Sequence, residues 1–413
     1  MSTYPPLPLN PANRRLTLSP VDPAFYLDPY PAYAALHARA PAFFWEDYGL
    51  WCFGRFDDVN RLFRDKRFGR ENRWGAPLHP VPGREHLRAF DRIESGSLLE
   101  REPPAHTRLR SLVNRAFVSR AIERLKPRIE ALAHALVDAL PRGEPFDLLP
   151  AVATPIPLTI ICELLGVPSA QGPHLLDWSH AMCAMYVPHR SPETEAAADR
   201  AAAEFHRFMT QHIASHARAG ADDLLSALIA VRDAGERLSD DELVSTCVLL
   251  LNAGHEATVH QTGNSVNTVL AQGGDPRRFF ATPQATEATV EECLRFDAPL
   301  HMFTRYAYEA VELGEGIAVQ PGDRIGLLLG MANRDPTVFE HADRFLPGRQ
   351  DQKSASFGAG IHFCIGAPLA RLELQTTLKV LFDRLPGLHL AEAPRYRPSY
   401  HFHGLERLMV IAP

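Results

Sequence analysis

The stretch SDDELVSTCVLLLNAGHEATVHQTGNSVNTVLAQGG, beginning at Ser239, constrains this fold more than any other segment. Ser239 and Glu242 stand in capping-box spacing ahead of an apolar run, which marks a helix start. The helical pattern runs to about Gln272, so at ~1.5 Å per residue the helix spans on the order of 50 Å and crosses the whole protein. Its centre breaks the apolar pattern with Asn252, Gly254, His255, Glu256, Thr258 and His260. Buried polar groups are costly unless paired or used, so the centre points to a polar relay.

Around that helix the chain reads as mainly α (α+β). A helix is expected from Pro29, a hairpin from Phe43 (FFWEDYGLWCFGR), a further helix at FDDVNRLF, and a long irregular loop over residues 66–100. Helical patterns then run from Ala105 to about Gln272, broken at Pro141, Pro150, Pro188 and Gly220. The last third predicts a helix around Glu292, β-like runs at Phe303 to Val319 and Arg324 to Gly330, a helix from about Ile365 to Leu385, and a β-rich tail. With no repeat or linker, one domain is expected over 21–413, after a proline-rich tail at 1–20. No signal peptide or membrane-length apolar run is present, and six scattered cysteines form no disulfide or zinc pattern, which predicts a soluble, cytoplasmic protein. The net charge is −6, yet His106 to Arg128 carries Arg108, Arg110, Arg115, Arg120, Arg124, Lys126 and Arg128 against Glu123 alone. Such a face suits either simple solvation or an acidic partner; nucleic acid and membrane are not expected partners.

FGAGIHFCIGAPLARLELQ, from Phe357, sets Cys364 among glycines immediately before an amphipathic helix. Gly358, Gly360 and Gly366 remove side-chain bulk, so a flat ligand can approach the main chain. The helix N-terminus favours a thiolate at Cys364. Taken alone, most such cysteines are inert and most such histidines are satisfied core residues. Phe357, Gly360, His362, Cys364 and Gly366, however, match the heme-binding signature of the cytochrome P-450 family at every fixed position, and the resemblance extends from about residue 25 to the C-terminus.

The resemblance implies a single triangular-prism domain with small β-sheets that binds heme b (iron protoporphyrin IX). Cys364 would be the metal ligand and His362 a propionate contact, within a cofactor site that includes Phe357, Gly358 and Gly366. His106 and Arg110, one turn apart in PPAHTRLRSLVNRAF, and Arg305 in FTRYA are similar to the family's other propionate contacts. Glu292 and Arg295 in VEECLR look like its buried ion pair, joined by a downstream arginine that Arg344 in ADRF resembles. AGHEAT is similar to the oxygen-binding motif: Ala253 and Gly254 leave room for dioxygen and Glu256 is the acid. Ala257 stands where the family's proton-relaying alcohol is usual, and Thr258 follows it.

The expected reaction is insertion of one oxygen atom from dioxygen into a small, largely apolar organic substrate, by hydroxylation or oxidative dealkylation. No flavin segment is visible, so electrons are expected from a separate ferredoxin or flavodoxin docking on the basic face. Because Ala257 lacks a hydroxyl, the substrate or an ordered water is expected to help carry protons. The rival readings are a peroxide-driven peroxygenase, a heme-thiolate isomerase and a heme-based ligand sensor; Glu256 argues against the first two and the lack of an output domain against the third. Residues 74–99, Asn252, His255, His301 to Phe303 and Phe402 occupy positions that usually line the family's substrate pocket, although each also suits ordinary packing.

Overall fold

The computed structural model describes residues 7–73, 84–116, 122–186, 190–217, 223–233, 238–350 and 353–413. The chain groups into two compact units drawn from interleaved segments. Residues 1–68, 125–156 and 257–413 form the first, and 69–124 with 157–256 the second. One continuous domain was the expectation from sequence; neither unit is a continuous stretch of chain.

The first unit carries the sheets. Ala42–Trp45 and Leu50–Phe53 form the expected antiparallel hairpin, with Phe43 opposite Cys52. Both side chains are fully buried, and Gly49 takes φ +65° in the turn, where a Cβ is disfavoured. Leu9–Asn10 and Arg15–Leu16 extend the sheet on one side; Arg324–Leu328, Met302–Ala307 and Phe68–Gly69 extend it on the other, giving seven strands. From Leu7 onward, therefore, the first twenty residues are not a tail. Leu7, Leu9, Leu16 and Leu18 are buried with Phe25, Tyr33 and Trp45. Their alternation is a strand period, short enough to be hidden by the flanking prolines.

The first unit also holds the helices Tyr30–Arg39, Lys126–Asp138, Pro283–Phe296 and Ala367–Arg384, the last packed on the two before it. Ten of the eighteen residues of Ala367–Arg384 are buried, so this helix is core and not surface. Pro150 does not end a helix but sits in a π-helical turn, Leu149–Ala153. Pro188 and Gly220 lie outside the described residues.

The second unit is helical, with Ala105–Ala116, Gly172–Cys183, Pro192–His216 and Leu224–Asp233 among its elements. The stretch 66–100 differs from the irregular loop expected: Arg88–Gly96 is a helix between 3-10 turns at Glu85–Leu87 and Leu98–Glu100. Phe90, Ile93 and Gly96 bury its inner face. Asp199 accepts from the amides of Ala89 (2.7 Å) and Phe90 (3.0 Å), which satisfies its N-terminus from another helix. Residues 74–83 lie outside the description.

Asp240–Ala271 is the long helix, 32 residues in length. Its capping box is present in both directions. The Ser239 amide donates to Glu242 Oε2 (3.0 Å) and the Glu242 amide to Ser239 Oγ (3.2 Å). Up to Glu256 this helix belongs to the second unit, and from Ala257 to the first. Among the described residues no helix is long and apolar enough to cross a membrane.

Candidate functional site

Cys364 is half-buried, whereas the other five cysteines are buried. Its amide donates to the Phe357 carbonyl (3.0 Å), closing a loop that leads into the Ala367–Arg384 helix. Gly358 and Gly360 take φ +66° and +70° in that loop. A Cβ on Gly360 would lie 2.4 Å from the Phe63 carbonyl oxygen, so glycine is required there. Arg371 stacks over Phe357 at 4.5 Å and pairs with Glu291 (2.5 and 3.0 Å), tying the loop to the Pro283–Phe296 helix. Ile361 and Phe363, on either side of the half-buried His362, are 47% and 41% exposed. A half-exposed thiol beside side-chain-free backbone and uncovered apolar side chains fits a flat, largely apolar group with a metal at its centre.

The segment leading to this loop is held by buried polar groups. Asn333 Oδ1 accepts from the Ala355 amide (2.6 Å) and its Nδ2 donates to Ser356 Oγ (2.8 Å), which in turn donates to the Leu294 carbonyl (2.6 Å). Glu292 and Arg295 form a bidentate pair at 2.8 Å, 3% and 2% exposed. The third partner is Arg349, at 3.1 and 3.2 Å from the Glu292 oxygens, and not Arg344. Arg344 contributes only its carbonyl, which accepts from Arg295 (3.0 Å) and Arg349 (2.9 Å). The chain doubles back after Phe345, bringing the later arginine inward while the Arg344 side chain stays exposed.

Between Glu242 and Leu270 of the long helix, Ala253 is the one exposed residue, and Gly254 and Ala257 on the same side are half-buried. The helix is therefore open where AGHEAT lies. A Cβ on Gly254 would meet Ile161 Cγ1 at 3.1 Å, so this glycine also admits a neighbouring helix. Glu256 is 7% exposed. Its Oε2 lies 3.1 Å from His180 Nε2 and 3.6 Å from His255 Nε2. His255 bonds through Nδ1 to the Leu251 carbonyl (2.7 Å). Thr258 is buried, and its carbonyl accepts from the Thr262 hydroxyl (2.8 Å). Nothing in the sequence pointed to His180, 76 residues before Glu256 on an ordinary amphipathic helix.

The remaining expected residues fall in both units. In the second, His106 is buried and Arg110 half-buried, one turn apart on Ala105–Ala116. Arg108 is taken up by Glu242 (3.2 Å to Oε2) and Arg124 is exposed, as are Lys126 and Arg128 of the first unit; the side chain of Arg115 and the whole of Arg120 are outside the description. In the first unit, Arg305 is 4% exposed and stacks over Phe63 at 4.9 Å. His301 is fully buried, with Nδ1 on the Tyr33 hydroxyl (2.7 Å) and its ring 4.5 Å from that of His403. Met302 is likewise in the core, while Phe303 and Phe402 are half-buried. Asn252 donates to Met182 Sδ (3.7 Å).

Residues 284–385 match the family model described as Cytochrome P450. Cytochrome P450 107B1 of Saccharopolyspora erythraea is 37% identical over 87% of this chain and 88% of its own length. Mycinamicin IV hydroxylase/epoxidase of Micromonospora griseorubida is 37% identical over 82% and 83%. The crystal structure of CalO2 superposes with a TM-score of 0.87 at 32% identity, over 96% of this chain and 99% of that one. The chain belongs to the cytochrome P450 family, heme-dependent monooxygenases with a mainly α fold.

Proposed function

We propose that this chain inserts one oxygen atom from dioxygen into a small, largely apolar organic substrate, by hydroxylation or oxidative dealkylation, with protons entering through Glu256 and their last transfer assisted by the substrate. The observation that carries this reading is a buried carboxyl on the open stretch of the long helix, followed by Ala257, which has no hydroxyl to pass a proton on.

Cys364 would hold the heme through its sulfur, with His362, Arg305, His106 and Arg110 as partners for the propionates. When bound, the heme supplies dioxygen activation, and a thiolate ligand favours O–O cleavage by pushing electron density onto the iron. The chain's own task is to exclude water and deliver protons. Glu256 stores a proton at Oε2; Ala253 and Gly254 keep the open face clear. With Ala257 contributing only a methyl, a hydroxyl or ordered water held by the substrate bridges the gap, unless the Thr258 hydroxyl does so. Losing a positioned proton donor costs ~10²–10⁴ in rate, so some group must take the place of the alcohol.

The exposed Arg124, Lys126 and Arg128 support a ferredoxin or flavodoxin as electron donor. The relatives named Mycinamicin IV hydroxylase/epoxidase and 6-deoxyerythronolide B hydroxylase support an oxygen-inserting reaction.

The first test is the absorption spectrum of dithionite-reduced, carbon monoxide-treated protein. A thiolate-type band is expected in wild type and its loss in Cys364→Ser; absence of the band in heme-loaded wild type rejects the ligand assignment. Turnover with reduced ferredoxin is then compared with turnover on hydrogen peroxide. Reaction with peroxide alone favours a peroxygenase. Substrate assistance predicts that Thr258→Ala stays coupled while substrates lacking polar groups uncouple; uncoupling by Thr258→Ala alone would make Thr258 the relay.

A further inference from the structure

The acid of the long helix is enclosed by groups from two helices. On its own helix His255 stands at 3.6 Å; from Gly172–Cys183 come His180 at 3.1 Å and the thiol of Cys183, whose pKa is pushed up by burial and by the Glu256 charge. Glu94, from Arg88–Gly96, faces that same thiol and is itself pushed up to about 8, first by burial and then by Glu100. These surroundings differ in one respect that matters for proton supply. The His255 side chain is 2% exposed and the Glu256 side chain 9%, whereas that of His180 is 42% exposed. His180 shares the exposed side of its helix with Asp177 and Pro173, one and two turns earlier. One edge of its ring therefore meets water while Nε2 meets the buried carboxyl.

An imidazole in that position differs from a fixed cation. A lysine or arginine would hold Glu256 ionised and keep its own proton; a histidine changes charge near neutral pH and can surrender one. The second imidazole cannot serve as the entry. His255 Nδ1 is committed to the Leu251 carbonyl, an acceptor only, so it must bear hydrogen there, and the ring is closed off from solvent.

We infer that His180 is the proton-entry residue for Glu256. In each cycle the His180 imidazolium gives its Nε2 proton to Glu256 Oε2, leaving a neutral ring and a neutral carboxylic acid. The acid passes its proton inward and returns to carboxylate, and the ring takes a proton from hydronium, releasing water. No electron moves in either step. His180 acts through Glu256 and is a positioning and relay residue, not one that touches the reacting atoms. The inference rests on the proposed role of Glu256, so its test separates the two.

Two measurements on the heme-loaded protein decide it. Histidine-ring NMR of the dithionite-reduced, carbon monoxide-treated form, which is diamagnetic, identifies the His180 ring signals as those missing from His180→Gln. Pairing at Nε2 predicts that these ring signals shift in Glu256→Gln; unchanged signals overturn the inference. Dioxygen uptake with saturating ferredoxin and reductase is then followed from pH 5.5 to 8.5. The wild-type rate is expected to fall as pH rises. His180→Gln is expected to be slower by about 10-fold at low pH and flat, below the ~10²–10⁴ range for proton-transfer groups because water still reaches Glu256. If His180→Gln matches the wild-type profile while Glu256→Gln is slow, the entry role fails alone. If Glu256→Gln also matches wild type, the role of the acid fails and this inference with it.

Discussion

Arg349 and Arg344 lie five residues apart, yet the structure assigns them different weights. The Arg349 guanidinium is 11% exposed and reaches both oxygens of Glu292, while the Arg344 side chain is exposed and only its carbonyl is used. Removing one partner of a buried pair leaves charge uncompensated, so Arg349→Ala is expected to cost ~3–5 kcal/mol and Arg344→Ala under ~0.5 kcal/mol. The urea midpoints of the two variants check this. ADRF looked like the right cation because it has the family's local pattern; which arginine turns inward depends on carbonyls at Glu340, His341 and Arg344, which no spacing displays. A second residue makes a pH prediction. Glu373 is 2% exposed, and burial pushes its carboxyl up to about 8. The folded protein thus holds a proton that the unfolded chain releases above about 4.5. Its contribution is fully present below that value and is lost as pH rises towards 8, so wild type should lose stability across that window relative to Glu373→Gln. Equal slopes in denaturation series at pH 5 and pH 8 would count against it.

Among the elements, the long helix was legible because its start is written in side chains: the Ser239–Glu242 box and the apolar run need nothing from elsewhere. Ser239→Ala should cost ~1 kcal/mol, measured by thermal unfolding, since it removes a cap. Arg88–Gly96 was not legible, because part of its N-terminal capping comes from Asp199, more than a hundred residues away, and its buried face is only three residues long. The cysteine loop was readable from its glycines, and they make a graded prediction. Gly358 and Gly360 both have positive φ, but a Cβ on Gly358 meets nothing closer than 3.9 Å, whereas one on Gly360 strikes the Phe63 carbonyl. Gly358→Ala should cost ~1–2 kcal/mol for left-handed backbone alone. Gly360→Ala should cost more and should also lower heme content per chain, read from the ratio of heme to protein absorbance.

At the scale of the whole molecule, the division into units could not be read from sequence, since residues 69–124 and 157–256 interrupt the first unit and residues 125–156 interrupt the second. Charge, by contrast, is additive along the chain and was visible from the start. The protein carries −6 overall, yet Arg124, Lys126 and Arg128 are exposed within a locally basic stretch. A uniformly acidic protein would repel an acidic electron donor, whereas a locally basic stretch of chain would attract one. Such steering is screened over about 8 Å at physiological ionic strength, so it weakens sharply as salt is added. Reduction by an acidic ferredoxin should therefore slow by about 10-fold between low and physiological salt, within the ~10–10³ range of electrostatic steering. The double variant Arg124→Glu with Lys126→Glu should be slow at low salt and nearly indifferent to further salt, while reduction by dithionite stays at the wild-type rate. Stopped-flow reduction in the presence of carbon monoxide reads both. A wild-type rate indifferent to salt, or a variant as fast as wild type, would place electron entry elsewhere on the surface.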